Sequence, residues 1–195
     1  MIDIFNNILQ YFDKYKILGS VISVNNTKLI AKAPHIGEEA WLHELYVGLT
    51  VTELKSLEEE LGTSLPNDFK SFLSISNGLA FFITTLSIYG VRRTNSRDYE
   101  IREPFSIISK NKNEKPISLS QNQVLIGSYY GDSSKLVLDT LSGKVLRYDK
   151  SYTNIRNTWD SFQKFINVEL PRIDACFDSK GIIQTELKNT LPDKN

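Results

Sequence analysis

The chain has 195 residues, and its 23 Lys and Arg against 23 Asp and Glu leave no formal net charge. That balance excludes the whole-chain basic excess expected of a nucleic-acid binder. Apolar residues at 41% and aromatics at 11% exclude a disordered chain, because there is ample surface to bury.

A single cysteine, Cys176, permits no internal disulfide and fits a reducing compartment. The start, Met1-Ile2-Asp3-Ile4-Phe5, carries an early acid and no basic stretch, unlike a secretory signal. No apolar run approaches the roughly 20 residues of a membrane helix; Leu79–Thr85 is the longest. The expectation is a soluble, cytoplasmic protein with neither a membrane nor a nucleic acid as partner, in which the Asn25-Asn26-Thr27 sequon goes unused. One domain over residues 1–181 with a polar tail over 182–195 is the simplest division.

Residues 3–15 read as an amphipathic helix: Ile4, Phe5, Ile8, Leu9 and Phe12 recur at helical spacing, Asp3 caps the start and Gly19 breaks it. Ser20–Val24 and Lys28–Ala31 read as short strands around an Asn25-Asn26 turn. Together these first 33 residues are expected to pack onto the rest. Pro34–Gly37 reads as loop, and Glu38–Tyr46 as a short helix. Thr50-x-x-Glu53 is a capping box, followed by the Leu54, Leu57, Leu61 stripe of a helix with Glu58, Glu59 and Glu60 beside it. Gly62 stands where that helix should end. Pro66 suits the first turn of a second helix, which buries Phe69, Phe72 and Leu73 and stops at Asn77-Gly78.

Beyond Gly78 the pattern turns to strands. Leu86–Tyr89 and Val124–Tyr129 are strand-like, Tyr99–Ile108 ends in a strand, and Lys110–Pro116 reads as a charged loop. Lys135–Asp139 and Lys144–Asp149 flank a hairpin turn at Leu141-Ser142-Gly143. Trp159, Phe162, Phe165 and Ile166 form a closing helix, capped by Asn157 or Thr158 and ended or kinked by Pro171. The tail is expected to fray, with docking of Ile182, Ile183 and Leu187 as the alternative. No strand–helix–strand alternation appears, so the class is α+β: a central twisted antiparallel sheet flanked by helices.

In order and spacing, these residues resemble a known family. The helix Leu57–Leu61, then Gly62, Leu65-Pro66, Phe69, Phe72-Leu73 and Asn77-Gly78, is similar to the helix–LP–helix–NG signature of the SMI1/KNR4 (SUKH) superfamily. Leu86-x-Ile88-Tyr89-Gly90, the strand and turn Ile126–Asp132, the hairpin Leu136–Tyr148 and the helix Trp159–Ile166 continue the match, and Trp41-Leu42-His43-Glu44 resembles a stretch of some bacterial members. The resemblance covers roughly residues 41–170. It implies an α+β fold and function by binding: bacterial members are commonly immunity proteins (antitoxins) that neutralise polymorphic toxins, many of them nucleases, and fungal members are adaptors. It implies no catalytic residue and no cofactor. Leu65, Pro66, Phe69, Leu73, Asn77, Gly78 and Gly127 are then structural residues.

Other chemistry is poorly supported. His35 and His43 have a spacing that suits no common zinc motif, and Cys176 is remote. Ser161-x-x-Lys164 and Ser109-x-x-Lys112 echo a nucleophile motif without its partner motifs. Tyr130-Gly131-Asp132-Ser133-Ser134 has one acid and two hydroxyls, too few for a metal cage, and reads as a turn held by Asp132. Charge placement says more. Between residues 38 and 60 stand Glu38, Glu39, Glu44, Glu53, Glu58, Glu59 and Glu60 against Lys55 alone, whereas residues 92–115 are rich in Arg and Lys. One reading is an acidic face that steers a basic partner, such as a nuclease toxin; the other is an ordinary solvated helix face. Ala80-Phe81-Phe82-Ile83 is either a buried strand or a source of aromatic anchors for a partner.

Overall fold

The computed structural model describes residues 11–96, 98 and 100–193. The expected helix over residues 3–15 lies mostly outside them; within them, Phe12–Leu18 is a 3-10 helix that Gly19 ends at a φ of 100°.

Among the described residues nine strands pair in chain order, every neighbour antiparallel: β1 (Ser20–Ile22), β2 (Lys28–Lys32), β3 (Trp41–Val47), β4 (Ser76–Phe81), β5 (Leu86–Ile88), β6 (Gln123–Tyr129), β7 (Lys135–Asp139), β8 (Val145–Tyr148) and β9 (Ile155–Trp159). The helices are α1 (Val51–Leu61), α2 (Asn67–Ile75), α3 (Ile107–Asn113) and α4 (Phe162–Asp174), with a second 3-10 turn at Leu187–Thr190. The α+β class with an antiparallel sheet is as the sequence implied.

A meander puts alternate connections at opposite ends of its sheet. One end carries the β3–β4 connection with α1 and α2, the β5–β6 connection with α3, and the β7–β8 turn; Thr63 after α1 and Thr140 at that turn bring their hydroxyls within 2.9 Å. This is the helix end. The connections β2–β3, β4–β5, β6–β7 and β8–β9 gather at the other, the hairpin end.

Strand periodicity of two sorts the side chains. Val124, Ile126, Leu136, Leu138 and Val145 join one buried cluster with Leu57, Phe69, Phe72, Leu73, Phe162 and Phe165 of the helices. Leu125, Val137 and Tyr148 face the other way, into a small cluster with Leu119. Phe69 and Phe162 meet edge to face at 4.8 Å, fastening α2 to α4. Gly127 is required where β6 passes β5, because a Cβ there would lie 2.4 Å from the Ser87 carbonyl oxygen.

Several expectations are corrected. Glu38–Tyr46 holds no helix; Trp41–Val47 is β3, buried on both faces and paired with β2 and β4, so tertiary pairing overrides local helical character. Tyr99 lies outside the described residues, and Phe105–Ile108 is no strand: Ser106 caps α3 by accepting from Ser109 N at 3.1 Å. The supposed charged loop is therefore largely helix, fixed where the Asn111 amide bridges Leu125 N and O at 2.9 Å each. Asn77-Gly78 does not stop a helix. α2 ends at Ile75 and β4 begins at Ser76. The Asn77 amide acts as an extra backbone unit, donating to Val91 O and accepting from Val91 N, both at 2.7 Å. Trp159 ends β9, and Ser161 rather than Asn157 or Thr158 caps α4, whose last turn contains Pro171. The residues after α4 pack through other groups than the Ile182, Ile183 and Leu187 named in the alternative, which stay exposed: Pro192 O accepts from Arg147 at 3.1 Å and Thr190 is buried.

Candidate functional site

The seven acids do not share a face. Glu38 and Glu39 stand in the β2–β3 turn at the hairpin end, Glu44 is inside β3, and Glu53, Glu58, Glu59 and Glu60 are on α1 at the helix end. The seven residues of β3 alone span about 20 Å. Most are also paired. Arg93 clasps Glu53, Nε to Oε1 at 2.7 Å and Nη2 to Oε2 at 3.2 Å, and its remaining donors bind Val47 O and Gly48 O. That clasp, with the Thr50 capping hydrogen bonds, holds the Glu53 carboxyl down at about 2. Glu60 pairs with Lys112, Glu58 with Lys70 at 3.2 Å, Glu44 with Arg102 at 3.3 Å and Glu39 with Lys32 at 3.6 Å. Burial raises the Glu44 carboxyl despite Arg102. The acidic and basic stretches of the sequence thus close on each other. Among the described residues Glu38 and Glu59 have no ion pair.

The motif-like residues have structural settings. Ser161 Oγ is spent as the α4 cap and Lys164 pairs with Asp160. Lys112 of the other serine–lysine pair is bound to Glu60. Asp132 closes its turn by accepting from Ser134 N at 2.9 Å and pairs with Arg147 at 2.6 Å. His43 is fully buried among the rings of Phe12, Tyr15, Phe81 and Phe82. Burial, with Lys14 nearby, pushes it down to about 3, so it is a neutral core side chain. Among the described residues no group of three or more His, Cys, Asp or Glu is arranged to hold a metal ion, and no helix is long and apolar enough to cross a membrane.

The hairpin end carries an apolar groove of about 450 Å³. His35 and Ile36 enter it from the β2–β3 turn, Phe82 to Thr85 from the β4–β5 turn and Tyr130 from the β6–β7 turn; the far wall is Phe177, Ile182, Ile183 and Leu187 after α4. Tyr130 is 67% exposed and Ile36 53%. Contiguous apolar surface of this kind on loops at one end of a rigid sheet marks interaction sites.

Its floor is strained backbone. Phe82 and Ile83 have φ of 44° and 65°, a left-handed conformation that costs a non-glycine residue about 1–3 kcal/mol and is worst for a β-branched one. Several contacts hold it: Phe82 N donates to His43 Nδ1 at 3.4 Å, Ile83 N donates to Leu42 O at 2.7 Å, and the Phe82 ring stacks on Phe177 at 3.8 Å. Of the run Ala80 to Ile83, then, Ala80 and Phe81 are buried strand, while Phe82 and Ile83 form the groove floor.

Sequence reasoning missed the groups that hold the far wall. Glu169, buried inside α4, accepts from Tyr129 Oη at 2.6 Å and from Arg172 Nη2 at 2.6 Å; the same Arg172 nitrogen donates to Thr190 O at 2.7 Å. Burial and then the Glu169 carboxylate raise the Tyr129 phenol well above its usual value. The available signal was an acid and an arginine three residues apart on the apolar side of the closing helix.

Residues 48–168 match the family model described as SMI1 / KNR4 family (SUKH-1). No curated protein matches the chain. The matched region holds α1 to β9 and the groove's Phe82 to Thr85 and Tyr130; the walls from His35, Ile36 and the segment after α4 lie outside it.

Proposed function

The chain belongs to the SMI1 / KNR4 family (SUKH-1), and from that premise we propose that it is an immunity protein that binds and neutralises a cognate toxin by direct contact in the cytoplasm. The observation that carries this reading is the apolar groove at the hairpin end. Neutralisation needs no catalytic group, only a tight interface that blocks an active site or a required surface, and such interfaces centre on buried aromatic and aliphatic anchors. Ile183 and Tyr130 supply exposed apolar anchors over the buried Phe82, and His35, Thr84 and Thr85 are the polar groups of the lining. Glu38 and Glu39 share a turn with His35 and Ile36, which supports a steering role toward a basic partner such as a nuclease.

Co-expression with the toxin encoded beside this gene tests the proposal. The unaltered chain restores growth and co-purifies with the toxin, while Ile183→Asp does neither. Absence of both rescue and complex for the unaltered chain overturns it. A neighbourhood without a toxin gene, together with recovery of a signalling enzyme as partner, would replace it with the adaptor function.

A further inference from the structure

The two edges of the sheet differ. β9 carries Arg156, paired with Asp149 at 3.6 Å, and its Asn157 side chain is bonded to the Asp193 carbonyl of the docked tail. Among the described residues β1 carries no such guard. From Ile17 to Thr27 there is neither a charge nor a proline, in a chain that is 24% charged. All three β1 residues are exposed, Ile22 at 67%, and Ile17 beside them is 88% exposed. Uncharged, exposed edge strands template pairing with another strand, which is why charges and prolines usually guard them.

The backbone shows which groups are presented. Ala31 N donates to Gly19 O at 2.9 Å, and Ser23 N donates to Thr27 O at 3.0 Å. Between them the register is Ser20 to Ile30, Val21 to Leu29 and Ile22 to Lys28. Antiparallel ladders alternate, so the Gly19 C=O, both backbone groups of Val21 and the Ser23 N–H turn toward β2, while Ser20 and Ile22 turn their N–H and C=O away from the sheet. The outward groups are symmetric about Val21.

We propose that β1 pairs antiparallel with β1 of a second copy of this chain, about a two-fold axis at Val21, so that one sheet runs through both molecules. Ser20 of each copy opposes Ile22 of the other, forming about four backbone hydrogen bonds, and the two Val21 residues face each other at the closer spacing. The outward pattern is its own antiparallel complement, as an isologous interface requires. Two uncharged strands meet without like-charge contact, and the chain carries no net charge to oppose association. The strand is short, so the dimer is weak, with a Kd of roughly 0.1 mM. This inference does not rest on toxin binding.

Sedimentation from about 10 µM to 1 mM tests it. The mass should rise from one copy toward two, and Ile22→Lys should weaken association by about tenfold or more with an unchanged circular dichroism spectrum. Facing Val21 residues, with Cα atoms about 4.5 Å apart, fall within disulfide range. In a Cys176→Ser background, Val21→Cys should therefore cross-link under mild oxidation far faster than Ser142→Cys on the exposed β7–β8 turn, a comparison independent of whether Ile22→Lys folds. A mass of one copy throughout, or equal cross-linking at both positions, overturns the proposal. Loss of toxin protection by Ile22→Lys, with one copy at every concentration, would assign the edge to a toxin strand and also overturn it.

Discussion

The two ends of the sheet solve opposite problems. At the helix end, charged side chains are many and nearly all engaged: Arg93 ties Glu53 to the carbonyls of Val47 and Gly48, and Lys112 reaches across from α3 to Glu60 on α1. That end is closed on itself. At the hairpin end, three turns and the segment after α4 leave Ile36, Tyr130, Ile182, Ile183 and Leu187 in solvent over a strained backbone. Charge in the sequence marks the first end, but unmet apolar surface marks the second, and a partner gains more by burying apolar anchors than by competing with ion pairs already made.

The largest expected effect lies beneath the hairpin end. His43 stays neutral in the folded chain down to about 3, whereas it protonates near 6.5 when unfolded. Between those values the unfolded chain binds more protons, so stability is full above about 6.5 and falls as the pH drops toward 3. From neutrality to about pH 4 the loss should be roughly 3 kcal/mol. Urea unfolding of the parent chain and of His43→Phe at both values checks this; equal slopes for the two proteins refute the assignment.

Next is the groove itself. Ile183→Asp should weaken toxin binding by about 100-fold, close to 2.7 kcal/mol, and Tyr130→Ala by about tenfold. Titration calorimetry reads the affinities. A thermal midpoint lowered as much as the affinity would show the groove to be scaffold instead.

At the helix end the comparison runs the other way. Arg93→Ala should cost about 1–2 kcal/mol of stability, because two backbone carbonyls and a carboxylate lose their donor, and leave toxin affinity unchanged. Denaturant midpoints and the same calorimetry separate the two outcomes.

The smallest effect concerns steering. Glu38→Lys with Glu39→Lys should slow association by about 3- to 10-fold at low salt and by less at high salt, whereas Glu60→Lys on the closed end should leave the on-rate alone. Stopped-flow association at two ionic strengths tests it. Equal slowing by both sets would restore a single acidic face.

Much of the fold was legible locally. The capping box Thr50-x-x-Glu53 is made as written, with Glu53 N donating to Thr50 Oγ1 at 3.2 Å and Thr50 N to Glu53 Oε2 at 2.8 Å. Gly62 ends α1 in the left-handed conformation, and Gly143 turns the β7–β8 hairpin at a φ of 75°. These signals survive because their partners lie within a few residues. β3 was misread because Trp41 to Tyr46 forms a strand only through β2 and β4, and β4 lies some thirty residues downstream. Asn77 was misread because its side chain bonds to Val91, not to its own helix. The candidate site was legible in fragments only. Phe82 and Ile83 stood out as an apolar run, and Ile182, Ile183 and Leu187 as residues able to dock, with nothing local to bring them together.

What the sequence determined by itself is what short-range chemistry decides: the helical pair from Leu57 onward, its caps and glycines, the alternating strands and the family signature they compose. Tertiary structure alone decided which charges cancel and which apolar groups stay in water. Coulomb pairing and burial depend on distance in space, and Arg93 meets Glu53 across forty residues, as Phe82 meets Phe177 across ninety-five, only after the meander has set its ends apart.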